Sequence, residues 1–288
     1  MVISFTMRFF SGQPITLHVF SGFLVRGVFF HGLRLVDEKT ATHVHEQRTL
    51  SPYSVSPILN ERGVGIFRGT IYPGTSFYFR VTALDEHVGD VFGKFLFAGE
   101  VPEIKLNGVS VSLQGVAVET WSPGKPAFPG EFKRFVVDFR SPTYFRNTQK
   151  GNGLLESLLP RRLRKKRRPM YRYVIVPVPY LFFRNLARLY RRFGHGNFRY
   201  KSFSEWLLEG GVALETFSRL RAYKVYDDRG RWSRGFVGRA VFDIPHELYD
   251  ERMAKICFEL LNFARFSNVG GNRTAGFGVV SYRFSSSG

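Results

Sequence analysis

The apolar period of the last quarter of the chain changes twice, and the order of those changes restricts the fold more than any other feature. Val212 to Val225 alternates like a strand, Asp227-Asp228-Arg229-Gly230 is a turn cluster, and Gly235 to Ile244 alternates again, as in a β-hairpin. From His246 to Ala264 the apolar residues Tyr249, Met253, Ile256, Cys257, Leu260 and Ala264 recur at helical spacing, with Pro245 at the start, where a helix tolerates it. Val279, Val280, Tyr282 and Phe284 read as a closing strand before the polar tail Ser285 to Gly288. Strand, strand, helix, strand is the second half of a β-α-β-β-α-β unit. The first half lies upstream. Phe132 to Phe139 is a strand candidate, and Leu181 to Phe193 is a basic amphipathic helix with Leu186, Leu189 and Tyr190 among Arg184, Arg188, Arg191 and Arg192.

The N-terminal stretch follows the same order. Val2 to Phe10 alternates, Phe20 to Leu35 is a helix candidate, and Ser51 to Ile58 and Ser76 to Leu84 are strand candidates. His87 to Phe97 reads as a second helix despite two glycines, and Val101 to Val118 closes the unit as one or two strands. The Pro- and Gly-rich segment Ser122 to Gly130 reads as a linker. The expectation is an α+β chain of two tandem ferredoxin-like (RRM-like, β-α-β-β-α-β) domains, residues 1–121 and 132–288, joined by residues 122–131.

Charge bears on the partner. In 288 residues, 42 Lys and Arg stand against 23 Asp and Glu, a net charge of +19 that points to a polyanion such as nucleic acid, an acidic membrane surface being the other fit. No apolar run approaches the roughly 20 residues that cross a bilayer, and the N-terminus alternates like a strand, so a cytoplasmic protein without a membrane partner is expected. Cys257 is the single cysteine, which excludes an internal disulfide and every multi-cysteine zinc pattern. Between Phe139 and Leu181 lies Arg161-Arg162-Leu163-Arg164-Lys165-Lys166-Arg167-Arg168, too charge-dense to fold alone and expected to act as an arm on a polyanion. Arg161, Arg162, Arg164, Lys165, Lys166, Arg167 and Arg168 are therefore candidate RNA contacts.

Between the last helix and the last strand runs Asn268-Val269-Gly270-Gly271-Asn272-Arg273-Thr274-Ala275-Gly276-Phe277-Gly278. Glycines admit close backbone approach and positive φ, and N–H groups with Arg273 could meet phosphate oxygens. A P-loop is excluded because no Gly-Lys-Ser/Thr follows, and a dinucleotide fold because too little chain remains for its βαβ unit. Gly270, Gly271, Asn272, Arg273, Thr274, Gly276 and Gly278 are thus candidate RNA contacts. The alternative is a loop whose glycines serve turn geometry only.

This C-terminal region, with Arg234-Gly235-Phe236-Val237-Gly238-Arg239-Ala240-Val241-Phe242-Asp243-Ile244-Pro245, the helix, and the glycine loop ending in Ala275-Gly276-Phe277-Gly278, resembles the CRISPR-associated endoribonucleases of the repeat-associated mysterious protein superfamily. Arg140-Ser141-Pro142-Thr143 also looks like the family pattern, and a weaker resemblance extends over nearly the whole chain. It implies two ferredoxin-like domains, metal-independent cleavage within CRISPR repeat RNA, no cofactor, and a glycine loop that contributes to RNA binding. Other CRISPR effector-complex subunits are further possible partners.

RNA carries its own nucleophile, the 2′-OH, so cleavage needs only proton transfer and charge stabilisation, leaving a 2′,3′-cyclic phosphate. Histidine suits the transfer because its unperturbed pKa is about 6.5. In the resembled family the catalytic histidine follows the first helix, which points to Ala41-Thr42-His43-Val44-His45-Glu46-Gln47-Arg48, with His45 favoured and His43 in reserve. The helical tyrosine of the family is replaced by Phe30, whose phenyl ring exchanges no proton; His31 is adjacent and can substitute. Ser51 stands where the family often has lysine, leaving Arg48 or Arg26 to stabilise phosphorane-like charge. On residue type alone, His43 and His45 could be ordinary surface residues of an extended segment; a metal pair is the weaker reading, since third and fourth ligands are not obvious and only Glu46 or a distant His could complete a site. His18, His87, His195 and His246 receive no role. The replaced tyrosine and lysine favour a rival, a non-catalytic RNA-binding subunit of a CRISPR ribonucleoprotein complex. A general module of two RRM-like domains is a third reading, against which stands the absence of the RRM aromatic motif.

Overall fold

The computed structural model describes residues 1–47, 50–99, 103–148, 171–194 and 196–284. Arg48, His195 and Arg161 to Arg168 lie outside the described residues.

The N-terminal half runs β1 (Val2–Ser11), β2 (Ile15–Leu17), α1 (Ser21–Val36), α2 (Glu38–Glu46), β3 (Tyr53–Val55), β4 (Leu59–Asn60), β5 (Gly69–Ile71), β6 (Thr75–Ala83), α3 (Glu86–Phe97), β7 (Ile104–Leu106) and β8 (Val109–Trp121). Its sheet has the order β3-β6-β1-β8-β7, every neighbouring pair antiparallel. The central strands show why. Ile3, Phe5, Met7 and Phe9 of β1 and Phe77, Phe79, Val81 and Ala83 of β6 are buried in one cluster with Val25, Phe29 and Leu33 of α1 and Phe92 of α3. The alternating Ser4, Thr6 and Arg8 pair with Thr82, Arg80 and Tyr78 on the opposite face, which carries no helix of this unit.

The C-terminal half runs β9 (Arg134–Thr143), β10 (Phe145–Thr148), β11 (Tyr171–Val174), α4 (Pro179–Phe193), α5 (Tyr200–Leu208), β12 (Ala213–Tyr226), β13 (Trp232–Asp243), α6 (Glu251–Ser267) and β14 (Val280–Phe284). Its sheet order is β12-β13-β9-β14. In both halves the first strand lies between the third and the fourth, and the second flanks the third, which is the split β-α-β arrangement of a ferredoxin-like unit. Phe135, Val137 and Phe139 of β9 are buried with Phe182, Phe183 and Leu186 of α4 and Leu260, Leu261 and Ala264 of α6. Each such aromatic contributes on the order of 1.5–3 kcal/mol through the apolar area it removes from water.

Three expectations are corrected. His43 and His45 sit on a helix, α2, not on an extended segment, because Asp37 caps it by accepting hydrogen bonds from the Lys39 and Thr40 backbone N–H groups at 3.0 and 3.2 Å. The last long helix starts at Glu251, not at His246: the Asp250 carboxylate accepts from Arg252 and Met253 N–H at 2.7 and 3.1 Å, and His246–Leu248 form a separate 3₁₀ turn. Of the strand expected over Ser51–Ile58 only β3, Tyr53–Val55, forms, and a segment that contains Pro57, with its missing N–H donor, separates it from β4.

Candidate active site and nucleic-acid interface

The glycine loop is a joint between the two halves. Asn268, fully buried at φ 54°, donates from its side-chain amide to the carbonyls of Val55 (2.8 Å) and Phe277 (3.1 Å) and accepts from Arg80 Nη2 at 2.8 Å. Ser54 Oγ donates to the Phe266 carbonyl at 2.6 Å. Arg273 is 6% exposed, and its guanidinium donates to the carbonyls of Ser51 and Tyr53, the latter at 2.8 Å. Burial pulls the Arg273 guanidinium down to about 10, so it stays charged at neutral pH. The expectation that the Arg273 side chain meets phosphate is corrected: burial and the carbonyls of Ser51, Tyr53 and Ser267 commit it to the joint.

The loop's backbone is similarly occupied. Gly270 N–H donates to Asn185 Oδ1 (2.7 Å), Gly271 N–H to the Tyr144 carbonyl (2.9 Å) and Gly278 N–H to the Pro142 carbonyl (3.1 Å). Two glycines are required by close approach. A Cβ on Gly276, at φ 84°, would lie 2.9 Å from Gly22 Cα of α1, and one on Gly278, at φ 72°, 1.8 Å from the Val269 carbonyl oxygen. The outer edge, Gly270 through Thr274, borders a cleft of about 450 Å³ with Ser51, Arg146, Arg184, Asn185 and Arg188. Asn272 reaches Ser233 Oγ of β13 at 3.4 Å.

Thr274 links this loop to the histidine region. Tyr53 is buried, and burial pushes its phenol up to about 12, with Arg26, a Thr274 side-chain hydrogen bond and Arg273 pulling the other way. The Tyr53 ring stacks on Phe29 at 4.3 Å and meets Phe30 edge-on at 5.6 Å. Phe30 in turn meets the His45 ring edge-on at 5.4 Å. Arg26 precedes Phe30 by four residues, on the same side of α1, with its guanidinium 5.1 Å from the Phe23 ring. Thr274, Tyr53, Phe30 and His45 therefore form one chain of contacts across the joint, with Arg26 beside it.

The three candidate histidines differ. His45 is exposed and held by Phe30. His43 is exposed and shares a hydrogen bond with Gln47 Nε2 at 3.3 Å; two residues apart on α2, it lies on the opposite side from His45. His31, on α1, is exposed and sits 6.3 Å from the Phe95 ring, away from Phe30's contact with His45. The structure thus brings His45, Arg26 and the glycine loop together and leaves His43 and His31 outside that chain. Among the described residues no group of three His, Cys, Asp or Glu side chains converges as metal ligands would.

A second, larger site escaped the sequence reading. The open face of the C-terminal sheet, with residues just before α1 and between β4 and β5 of the first half, borders a cleft of about 1130 Å³ lined by Arg62, Arg68, Arg140, Arg219, Arg221, Lys224, Arg239 and Arg283. Among the described residues its single lining carboxylate, Asp138, is shared by Arg239 (2.7 Å) and Arg283 (3.1 Å). Phe67 and Tyr223, both half-buried, add ring surface and meet edge-on at 5.5 Å. Period-two alternation could have exposed it: along β9, Asp138 and Arg140 alternate with Val137 and Phe139, which face the core.

Residues 137–280, half of the chain, match the model of the CRISPR-associated endoribonuclease Cas6 family. No curated protein matches the chain. Among solved structures, a Thermus thermophilus Cas6 in complex with its product is similar with a TM-score of 0.74 and 20% identity, over 98% of this chain and 99% of that one. A second Cas6 product complex gives 0.70 and 24% identity over 99% and 100% of the two chains. A Cas6-related protein from Pyrococcus furiosus gives 0.57 and 10% over 99% of each. These likenesses carry the fold, and the family match carries the membership: the chain belongs to the CRISPR-associated endoribonuclease Cas6 family.

Proposed function

We propose that this protein cleaves precursor CRISPR RNA within its repeats, without a metal ion, by general acid–base catalysis. The 2′-oxygen loses its proton and bonds to the adjacent phosphorus, the bond from phosphorus to the 5′-oxygen breaks, and that oxygen gains a proton. The products are a 2′,3′-cyclic phosphate and a 5′-hydroxyl. His45 is the proton-transfer residue, because it is the exposed histidine whose ring belongs to the contact chain reaching the glycine loop. Arg26 supplies positive charge beside it, and Arg184 and Arg188 supply more at the cleft under the loop. The cations of the larger cleft hold RNA backbone by charge, and its rings offer stacking surfaces to unpaired bases.

The single observation that carries this reading is the chain of contacts that runs from His45 through Phe30 and Tyr53 to Thr274 of the glycine loop. Incubation with the cognate repeat RNA in EDTA, followed by end-group analysis, is expected to give one cut with a cyclic phosphate end. Cleavage that requires a divalent cation would overturn the metal-free mechanism. One observation favours a non-catalytic RNA-binding subunit instead: the ring in contact with His45 is Phe30, which transfers no proton. Intact RNA across several repeats, bound tightly, would establish that alternative.

A further inference from the structure

The far end of the β12–β13 ribbon carries a four-residue block, Tyr226, Lys224, Trp232 and Arg234, of which Lys224 and Tyr226 border the larger cleft. Tyr226 pairs directly with Trp232, and Lys224 with Arg234, so all four side chains stand on one face. Trp232 is 54% exposed and Tyr226 39%. Lys224 Nζ lies 5.1 Å from the Tyr226 ring and 5.0 Å from the Trp232 ring, and the Arg234 guanidinium 5.2 Å from Trp232. The opposite face is anchored. Val225 is buried with Phe20, Tyr144 and Phe277, Tyr223 meets Phe67, and Ser233 accepts from Asn272. The Phe20 N–H also donates to the Tyr226 carbonyl at 3.3 Å. An exposed indole on a ribbon fixed from behind is a rigid platform, not a fraying tip.

We infer that Tyr226, Lys224, Trp232 and Arg234 form a stacking platform for an unpaired nucleotide of single-stranded RNA, separate from the site of cleavage. Every base has a π-face to set against the indole, and the flanking phosphates supply the anionic partner that two adjacent cations lack among the described residues. The platform recognises stacking and charge, not base identity. This inference rests on the reading of the protein as an RNA binder.

Trp232 provides its own reporter, since Trp121 and Trp206 are 5% and 8% exposed. Titrating the full chain with an eight-nucleotide oligoadenylate is expected to quench the exposed tryptophan and to shield it from iodide. Trp232→Ala should weaken binding about 5- to 150-fold, the range for losing one base–aromatic stack, with the salt slope unchanged because the ring carries no charge. Trp232→Phe should recover most of that loss, which a merely unfolded variant would not do. Equal affinity of wild type and Trp232→Ala, with no quenching on binding, overturns the platform and leaves the RNA-binding reading intact. Failure of the wild-type protein to bind either oligoadenylate or repeat RNA overturns both.

Discussion

Both clefts are cationic, the larger one more so, and they differ in what else they hold. The larger one, on the open face of the C-terminal sheet, presents most of its arginines on strands, where side chains are fixed by register; among the described residues its lining includes one histidine, His18, and one carboxylate, already held by two arginines. The smaller one lies between the glycine loop, α4 and β10 of the second half and Leu50 and Ser51 of the first, and Thr274 on its edge leads through Tyr53 and Phe30 to His45. Strands provide a wide, rigid surface for a polymer's backbone. Chemistry needs groups of different kinds converging on one atom, and in the proposed reading the joint supplies them. Binding and cleavage should therefore separate by mutation.

The largest effect is expected at His45. Its change to Ala should lower the cleavage rate 10²- to 10⁴-fold, roughly the usual contribution of a positioned proton-transfer group, while RNA affinity changes about two-fold or less. Measuring single-turnover rate and binding on the same preparation checks this. Retained cleavage would transfer the role to His43 or His31 and break the assignment of chemistry to the joint. Next comes Arg273→Ala, which leaves the Ser51 and Tyr53 carbonyls without their charged donor inside the joint. A loss of about 3 kcal/mol in urea unfolding is expected, from hydrogen bonds to a charged group worth ~1.5–3 kcal/mol each. A variant as stable as wild type would mean that Arg273 is available to serve RNA.

Much of this organisation was legible in the sequence. The alternation of Ile3, Phe5, Met7 and Phe9 and the helical spacing through Leu260 and Ala264 set both sheets and their long helices, because a half-buried strand and an amphipathic helix impose different periods. Helix α2 was not, since its buried residues are only Thr40, Ala41 and Val44, although Asp37 ahead of Lys39 and Thr40 is a capping signal. The glycine loop stood out, but its role did not. Whether Gly270 N–H meets a phosphate or Asn185 depends on residues 85 positions apart, which no local pattern encodes. Tyr53 was silent for the same reason: only folding sets it between Phe30 and Thr274.

The larger cleft should yield a smaller and different response. Replacing Arg140 and Arg221 together by Ala removes two cations from strands that carry no proton-transfer group. Binding of single-stranded repeat RNA should weaken, and the slope of log affinity against log salt should flatten by about 0.7 for each phosphate left without its cation. The cleavage rate at saturating RNA should hold. A fall in that rate with an unchanged salt slope would show that the cleft positions the scissile bond as well as the backbone.

The smallest effect is expected at Tyr53, the buried phenol between Phe30 and Thr274. With its phenol at about 12, Tyr53 keeps its proton at any physiological pH and cannot act as a base. Tyr53→Phe should therefore leave the cleavage rate within about two-fold and cost ~1 kcal/mol of stability, the worth of the Thr274 hydrogen bond. The sign of its alkaline contribution follows from linkage. Between the ordinary tyrosine value of 10.0 and about 12 the unfolded chain has released this proton and the folded chain has not, so stability attributable to Tyr53 is present below that window and lost as pH rises through it. The Phe variant should accordingly lose less stability than wild type between pH 10 and 12. A ten-fold drop in cleavage at neutral pH would instead make the phenol a proton donor in the reaction, and the contact chain from Thr274 to His45 would then be part of the chemistry and not only its support.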